Sequence, residues 1–590
     1  QEFPDSRYTP DVLMRQAEFY FNPPLHQIEK AIEIYHSILA YTDSPKYNEA
    51  LYKLGWSYYK LSDYPKAISY FTMLADDISM ASQFDPKNKI SNPALREESI
   101  EYIGISFLDY SGVEGAERYL NEIGGREYGV DVLKKIGDAY MDVKEEYDKA
   151  INAYEVLLKL YPYSAGAPLV QARIAEAYRF LEDDQQTYLM RKKLFADYHE
   201  GTDWWNNVTK KEARQKALQL SEHALRANVN LLLDTANETS NPNLYAQAVD
   251  DTKDYLKEFP EDSNAVLMHW NMALTLDSKL SRSDAAYDQY VEISNLYWGS
   301  RFQEEAAKNA IAIAQVLAES DSLQRVDILP LNIGEIREQV EQGDPNLLKN
   351  LELEPGQLSD GEKKLAAAID NYIKLFPFEG ETPARLNQAG SMYYNKNDFV
   401  NSLKYFKTLL KHFPEDSLAE DAEFLVMESY FGKLDFKSVE IVAKRMLVKD
   451  VRTDYTTKAR QRLAEAIFLQ AQSYADAEQH FKAAEEYSRV AKEVPNADFA
   501  DLALFNAGLE YDRAKEYSRA VEIYDRLSQD YAQSEHYLPS LNNMALDYRE
   551  LKDYRNAAIV FERLAEEDTA STKIETHLYN ASVSFVDAED

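Results

Sequence analysis

Residues 51–71 read LYKLGWSYYKLSDYPKAISYF. With Gly55 set at position 8 of a unit, Leu51, Leu54 and Tyr58 fall at positions 4, 7 and 11, and Ala67 and Phe71 at 20 and 24. The same spacing returns at Ile100, Ile103, Gly104, Phe107, Ala116 and Leu120, and at Leu504, Ala507, Gly508, Tyr511, Ala520 and Tyr524. It recurs around Ala471, Tyr474, Ala483, Tyr487 and Pro495, and around Ala545, Tyr548, Ala557 and Phe561. Gly137, Tyr140, Ala150, Tyr154 and Pro162 match with one extra residue, and Gly390, Tyr393, Phe406 and Pro414 match with Ser402 in place of alanine.

Positions 4, 7, 8 and 11 make one helical stripe, and positions 20, 24 and 27 another, each in the i, i+3, i+4 rhythm of an amphipathic helix. Two such helices fold back on one another. Small residues at 8 and 20 let the backbones approach, and large ones at 4, 7, 11 and 24 fill the space beside them. Proline ends the second helix at Pro162, Pro260, Pro414 and Pro495, where it removes a donor and clashes with the preceding turn.

This pattern resembles the tetratricopeptide repeat, whose unit is a helix–turn–helix of ~34 residues. The resemblance implies an all-α, right-handed superhelical solenoid of antiparallel helix pairs, about 13 at that repeat length. Degenerate units fill the gaps at 178–198, 244–260, 272–293 and 425–446. The expected organisation is a solenoid over 1–320, a proline-containing insertion over 321–358 and a second solenoid over 359–590, ending mid-repeat after Leu578, Ala581, Ser582 and Phe585. The insertion carries Pro330, Pro345 and Pro355, and a Ser359–Glu362 capping box reopens the helical pattern after it. It reads as an insertion between the two helices of one repeat, the alternative being a linker between two solenoids.

Composition excludes several functions. Acidic side chains number 101 against 65 basic, a net charge of −36, and such a surface repels nucleic-acid phosphates and anionic lipid. The longest apolar runs, 266–276 and 310–318, are about half of the ~20 residues that span a bilayer. Cysteine is absent, which removes thiolate nucleophiles and thiol-ligated metals and suits an oxidising compartment. The chain opens at Gln1 without an apolar leader, so an exported protein is expected. Only 19 of 590 residues are glycine, which argues for few special turns.

No phosphate loop, GxGxxG, HExxH or GxSxG motif is present, and no two of the nine histidines stand at i, i+3 or i+4. The expectation is therefore no enzyme, no cofactor and no metal. The sequons at Asn207, Asn237 and Asn580 are as many as chance supplies, and Trp204-Trp205 reads as a plug between a degenerate repeat and the helix after it, or else as an exposed anchor.

What remains is a surface for other proteins or peptides. In the tetratricopeptide family, positions 2, 5, 9, 12 and 13 of each first helix line a groove that takes partner peptides. Those positions here are Glu49, Tyr52, Trp56, Tyr59 and Lys60, and, in the fourth unit, Asp131, Lys134, Asp138, Met141 and Asp142. Tyr52, Trp56, Tyr59, Lys60 and Lys134 are the candidate contact residues; the aromatics either meet a partner or pack on the neighbouring repeat. Asparagine is missing from position 9, so the carboxylate clamp of cytosolic chaperone adaptors is not expected. The stretches at 49–74, 369–377 and 393–422 also resemble long bacterial envelope-associated repeat proteins. The resemblance implies a non-catalytic, periplasmic or cell-surface scaffold, with a non-catalytic arm of a larger enzyme or a structural subunit of a surface assembly as alternatives.

Overall fold

The computed structural model describes residues 6–84, 93–321, 347–449, 452–568 and 571–589. These residues contain helices and turns and no strand. Two compact units divide between Ala285 and Ala286. The first holds α1 (Thr9–Phe21), α2 (Ile28–Ile38), α3 (Lys46–Lys60), α4 (Tyr64–Phe84), α5 (Pro93–Tyr110), α6 (Gly112–Glu122), α7 (Gly129–Asp138), α8 (Tyr147–Leu160), α9 (Ala167–Phe180), α10 (Asp184–Tyr198), α11 (Asp203–Asn207), α12 (Lys211–Thr239), α13 (Pro242–Glu258) and α14 (Ala265–Leu274). The second holds most of α15 (Ser283–Leu296), then α16 (Gln303–Asp321), α17 (Leu347–Asn350), α18 (Asp360–Leu375), α19 (Thr382–Tyr394), α20 (Phe399–His412), α21 (Ala419–Gly432), α22 (Phe436–Val448), α23 (Thr453–Asp476), α24 (His480–Glu493), α25 (Ala500–Arg513), α26 (Tyr517–Asp530), α27 (Tyr537–Glu550), α28 (Tyr554–Glu567) and α29 (Ser571–Asp587).

Helices pack in sequence order as pairs: α3 on α4, α7 on α8, α19 on α20, α25 on α26, α27 on α28. First helices also touch the first helix of the next pair, as α3 with α5 and α5 with α7. The small-to-large rule acts within pairs such as α3/α4 and α19/α20. A Cβ on Gly55 would stand 2.6 Å from the Phe71 ring, and one on Gly390 2.7 Å from Phe406. Burying each such ring contributes about 1.5–3 kcal/mol. Gly104 differs, because position 24 of its unit is Leu120 and its nearest neighbour is Lys135 on the following first helix.

The reversal between paired helices overturns the expectation of few special turns. Position 15 of the unit adopts the left-handed conformation at Ser62, Asn397, Leu434, Glu478, Lys515 and Lys552, none of them glycine. At Ser62 the chain is closed by Ser62 N–H to Tyr59 O (2.9 Å) and Asp63 N–H to Tyr58 O (3.0 Å). These bonds satisfy the last carbonyls of α3 and offset the ~1–2 kcal/mol that a left-handed non-glycine residue costs. Special turns are therefore frequent, and scarce glycine did not forbid them. The extra residue of the Gly137 unit is absorbed in a π-helical turn, Ala139–Val143, at the end of α7.

Residues 322–346 of the expected insertion lie outside the described residues. On its two sides α16 and α18 pack together, so closely that a Cβ on Gly361 would meet the backbone of Leu317 and Ala318 at 2.5–2.6 Å. The capping box forms: Ser359 Oγ accepts from Glu362 N–H (3.1 Å), and Glu362 Oε2 accepts from Ser359 N–H (2.8 Å). Trp204 is buried, edge-on to Tyr198, with Nε1 donating to Ser164 O at 2.9 Å. It is a plug, not an exposed anchor.

Candidate protein-binding face

α3 presents Tyr52, Trp56 and Tyr59 toward α5, the first helix of the next pair. They lie on that side because α3 turns Leu51, Leu54 and Gly55 inward against α4, leaving positions 5, 9 and 12 for the lateral neighbour. Trp56 packs on Tyr102 of α5 with centroids 4.4 Å apart and stands edge-on to Tyr59 at 5.8 Å. Tyr102 also stacks on Phe71 at 5.6 Å. The Tyr52 hydroxyl donates to Glu98 at 2.6 Å and the Tyr59 hydroxyl to Asp109 at 2.9 Å.

Burial and these carboxylates push both phenols up to about 12, so each remains a donor across the whole physiological range. Half-buried rings and exposed Glu98, Glu101 and Asp109 thus form one amphipathic strip. The three aromatics pack on the neighbouring repeat and remain partly open to solvent at the same time.

The two lysines are placed differently. Lys60 is exposed and sets its ammonium 4.4 Å above the Phe21 ring of α1, on the side of the preceding pair. Lys134, on α7, is held at 2.6 Å by Asp138 one turn along its own helix, and half of its side chain is covered. The structure therefore brings Tyr52, Trp56 and Tyr59 together, adds Tyr102, Glu98 and Asp109 from α5, and leaves Lys60 and Lys134 outside the strip. The α5 residues were missed because their role depends on the register between repeats. The signal was a tyrosine at position 6 directly beyond a tryptophan at position 9.

Among the described residues no group of three or more histidine, aspartate or glutamate side chains is placed to hold a metal ion, and no helix is long and apolar enough to cross a membrane.

The sequence profile of the tetratricopeptide repeat matches residues 49–77, 131–164 and 465–497, which are the pairs α3/α4, α7/α8 and α23/α24. The chain thus carries tetratricopeptide repeats at these three places. No curated protein matches it. Among solved structures it is similar to the TPR domain of P58(IPK), at 10% identity over 78% of this chain and 99% of that one, with a TM-score of 0.20. It is likewise similar to the Naa15/Naa10 complex bound to HypK-THB, at 14% identity over 98% and 88% with a TM-score of 0.24. Yeast Tom70 aligns at 12% identity over 98% and 96%, with a TM-score of 0.19. Likenesses with TM-scores this low say nothing of function.

Proposed function

We propose that the protein is a non-catalytic scaffold that engages a basic or neutral polypeptide segment on the α3–α5 face, in the envelope of a bacterium after export. The observation that carries the reading is the strip itself: Trp56 and Tyr102 in contact, flanked by Tyr52, Tyr59 and three exposed carboxylates. Aromatics give large contact area at low entropic cost, and tryptophan and tyrosine dominate interface hot spots. The carboxylates and the net charge of −36 attract a basic segment and speed its encounter, an effect that fades as salt screens it. The absence of cysteine supports the exported setting.

The test is a pull-down from bacterial envelope followed by titration of the captured partner. Trp56→Ala is expected to weaken the complex by about 2 kcal/mol or more, roughly thirtyfold, with association slowing as salt rises. A Leu504→Ala variant in the pair α25/α26 of the other unit should leave affinity unchanged. Retained affinity with an early melt would make Trp56 a packing residue and end the assignment.

A further inference from the structure

At position 10 of a first helix lies an inward-facing residue, a serine at Ser57, Ser106, Ser429 and Ser584, all fully buried. In α25 and α27 that position is an acid, Glu510 and Asp547, each 3% exposed. Glu510 is neutralised: His480 Nδ1, at the start of α24, lies 2.7 Å from Oε2, and Arg513, three residues on, reaches Oε1 at 2.5 Å. At Asp547 both partners are replaced. Glu550 stands where Arg513 would, Tyr517 where His480 would, and Asp547 Oδ2 is buried without a hydrogen-bond donor.

The groups facing Asp547 are nearly all acids or phenols. From α25 comes Asp512, within hydrogen-bond reach, and the adjacent Arg513, which pairs with Glu510 and also draws Asp512 downward. From α26 come Tyr517, whose phenol is raised first by burial and then by Glu550, Asp512 and Asp547, and Tyr524, raised first by burial and then by Asp547. On α27, Glu550 adds a third carboxylate and Arg549 turns away to Asp587 of α29. On the α28 side, Asp553 faces Tyr548 instead.

We propose that the α25–α27 contact is a proton-operated latch, in which Asp547 and Asp512 share one proton that closes the contact and whose loss loosens it. A buried carboxylate facing another has no donor unless one of the two is protonated, and two like charges side by side cannot both ionise cheaply. Burial first, then Asp512 and Glu550, raise Asp547 to about 7, and Asp512 is raised as well. The folded state thus holds a proton that the unfolded chain gives up in the ordinary carboxylate range. Stability from this group is full below that range, falls as pH rises through it, and is gone above about 7.

Hydrogen exchange of the whole chain at pH 5.5 and 8, corrected for intrinsic rates, tests this. The amides of α25–α27 in the wild type should lose at least tenfold protection at the higher pH. In Asp547→Asn, and independently in Asp512→Asn, the difference should vanish. Glu550→Arg, which copies the arrangement at Glu510, should also flatten it, whereas Glu510→Gln should not. A pH dependence that survives in both asparagine variants, or is absent from the wild type, overturns the latch.

Discussion

Trp56 and Glu428 occupy the same slot in two repeats: each lies six residues before the left-handed turn residue, Ser62 in one and Leu434 in the other. Each reaches sideways to the next first helix. Trp56 meets Tyr102 ring on ring. Glu428 takes both ends of the Arg462 guanidinium at 2.8 Å, and Arg462 also binds Glu465 at 2.5 Å while lying 4.1 Å above the Phe431 ring. One lateral joint is a half-open aromatic contact and the other a closed ionic triad. The aromatic joint keeps surface available to a partner and tolerates partial loss. The triad offers nothing to a partner and fails as a whole, because one guanidinium serves both buried carboxylates.

Removing the arginine separates the two joints most sharply. Glu465 is 1% exposed and Glu428 9%, so Arg462→Ala strands two buried carboxylates and should cost about 3–5 kcal/mol. The loss should show in urea or thermal unfolding and be greatest above the carboxylate range, shrinking in acid as the stranded groups protonate. Burial already pushes Glu465 upward against the pull of Arg462. Replacing Glu428, Arg462 and Glu465 together with apolar residues of like volume should be near neutral or stabilising by about 1–4 kcal/mol. An Arg462→Ala variant as stable as wild type would mean that the triad is not closed.

The cores beneath the two joints differ by an exchange of bulk. In α3/α4 the small residue is Gly55 and its partner Phe71; in α21/α22 the same two positions hold Met427 and Ala443, both fully buried. Gly55→Leu should overpack the first pair by about 1–3 kcal/mol. The double change Gly55→Met with Phe71→Ala, copying the second pair, should recover most of that in a thermal melt. Failure of the double change to recover anything would show that the backbones of the two pairs are spaced differently. Gly104→Ala should be milder, since a Cβ there meets the Lys135 Cβ at 3.2 Å and no ring, so the neighbouring helix need give only slightly.

That exchange explains what could be read from sequence. Wherever the small residue stayed at position 8 and the aromatic at 24, the helix pair was legible residue by residue. At 425–446 the summed volume is preserved while each position is altered, so only the rhythm remained visible. The extra residue at Gly137 was visible as a miscount but not as a π-helical turn, since nothing in the letters says where the added residue is stored. Tyr52, Trp56 and Tyr59 were legible as a group because they share one helix stripe. Their partners Glu98, Tyr102 and Asp109 were not, because contact between first helices depends on how successive pairs are stacked. The left-handed turn residues were hidden for a further reason, being Ser, Asn, Leu, Glu and Lys instead of glycine.

One local signal present in both regions went unread, the aspartate that follows the left-handed residue and precedes an aromatic: Asp63-Tyr64 and Asp435-Phe436. In the second region Asp435 caps α22, with Oδ1 accepting from Ser438 N–H at 3.2 Å and Oδ2 accepting from the Ser438 hydroxyl at 2.7 Å. In the first, Asp63 stands 3.4 Å from Lys66 N–H and spends its other oxygen on the Lys66 ammonium at 2.7 Å, an ion pair open to solvent. An N-cap aspartate satisfies an orphan amide and is worth about 1 kcal/mol, whereas an exposed i,i+3 pair is worth a few tenths. Asp435→Ala should therefore cost about 1 kcal/mol and Asp63→Ala roughly half as much, the second cost shrinking further in high salt. Paired melts at low and high ionic strength measure both. Equal costs with equal salt dependence would mean that the two reversals are capped alike, and that the difference between the regions is confined to their lateral joints and cores.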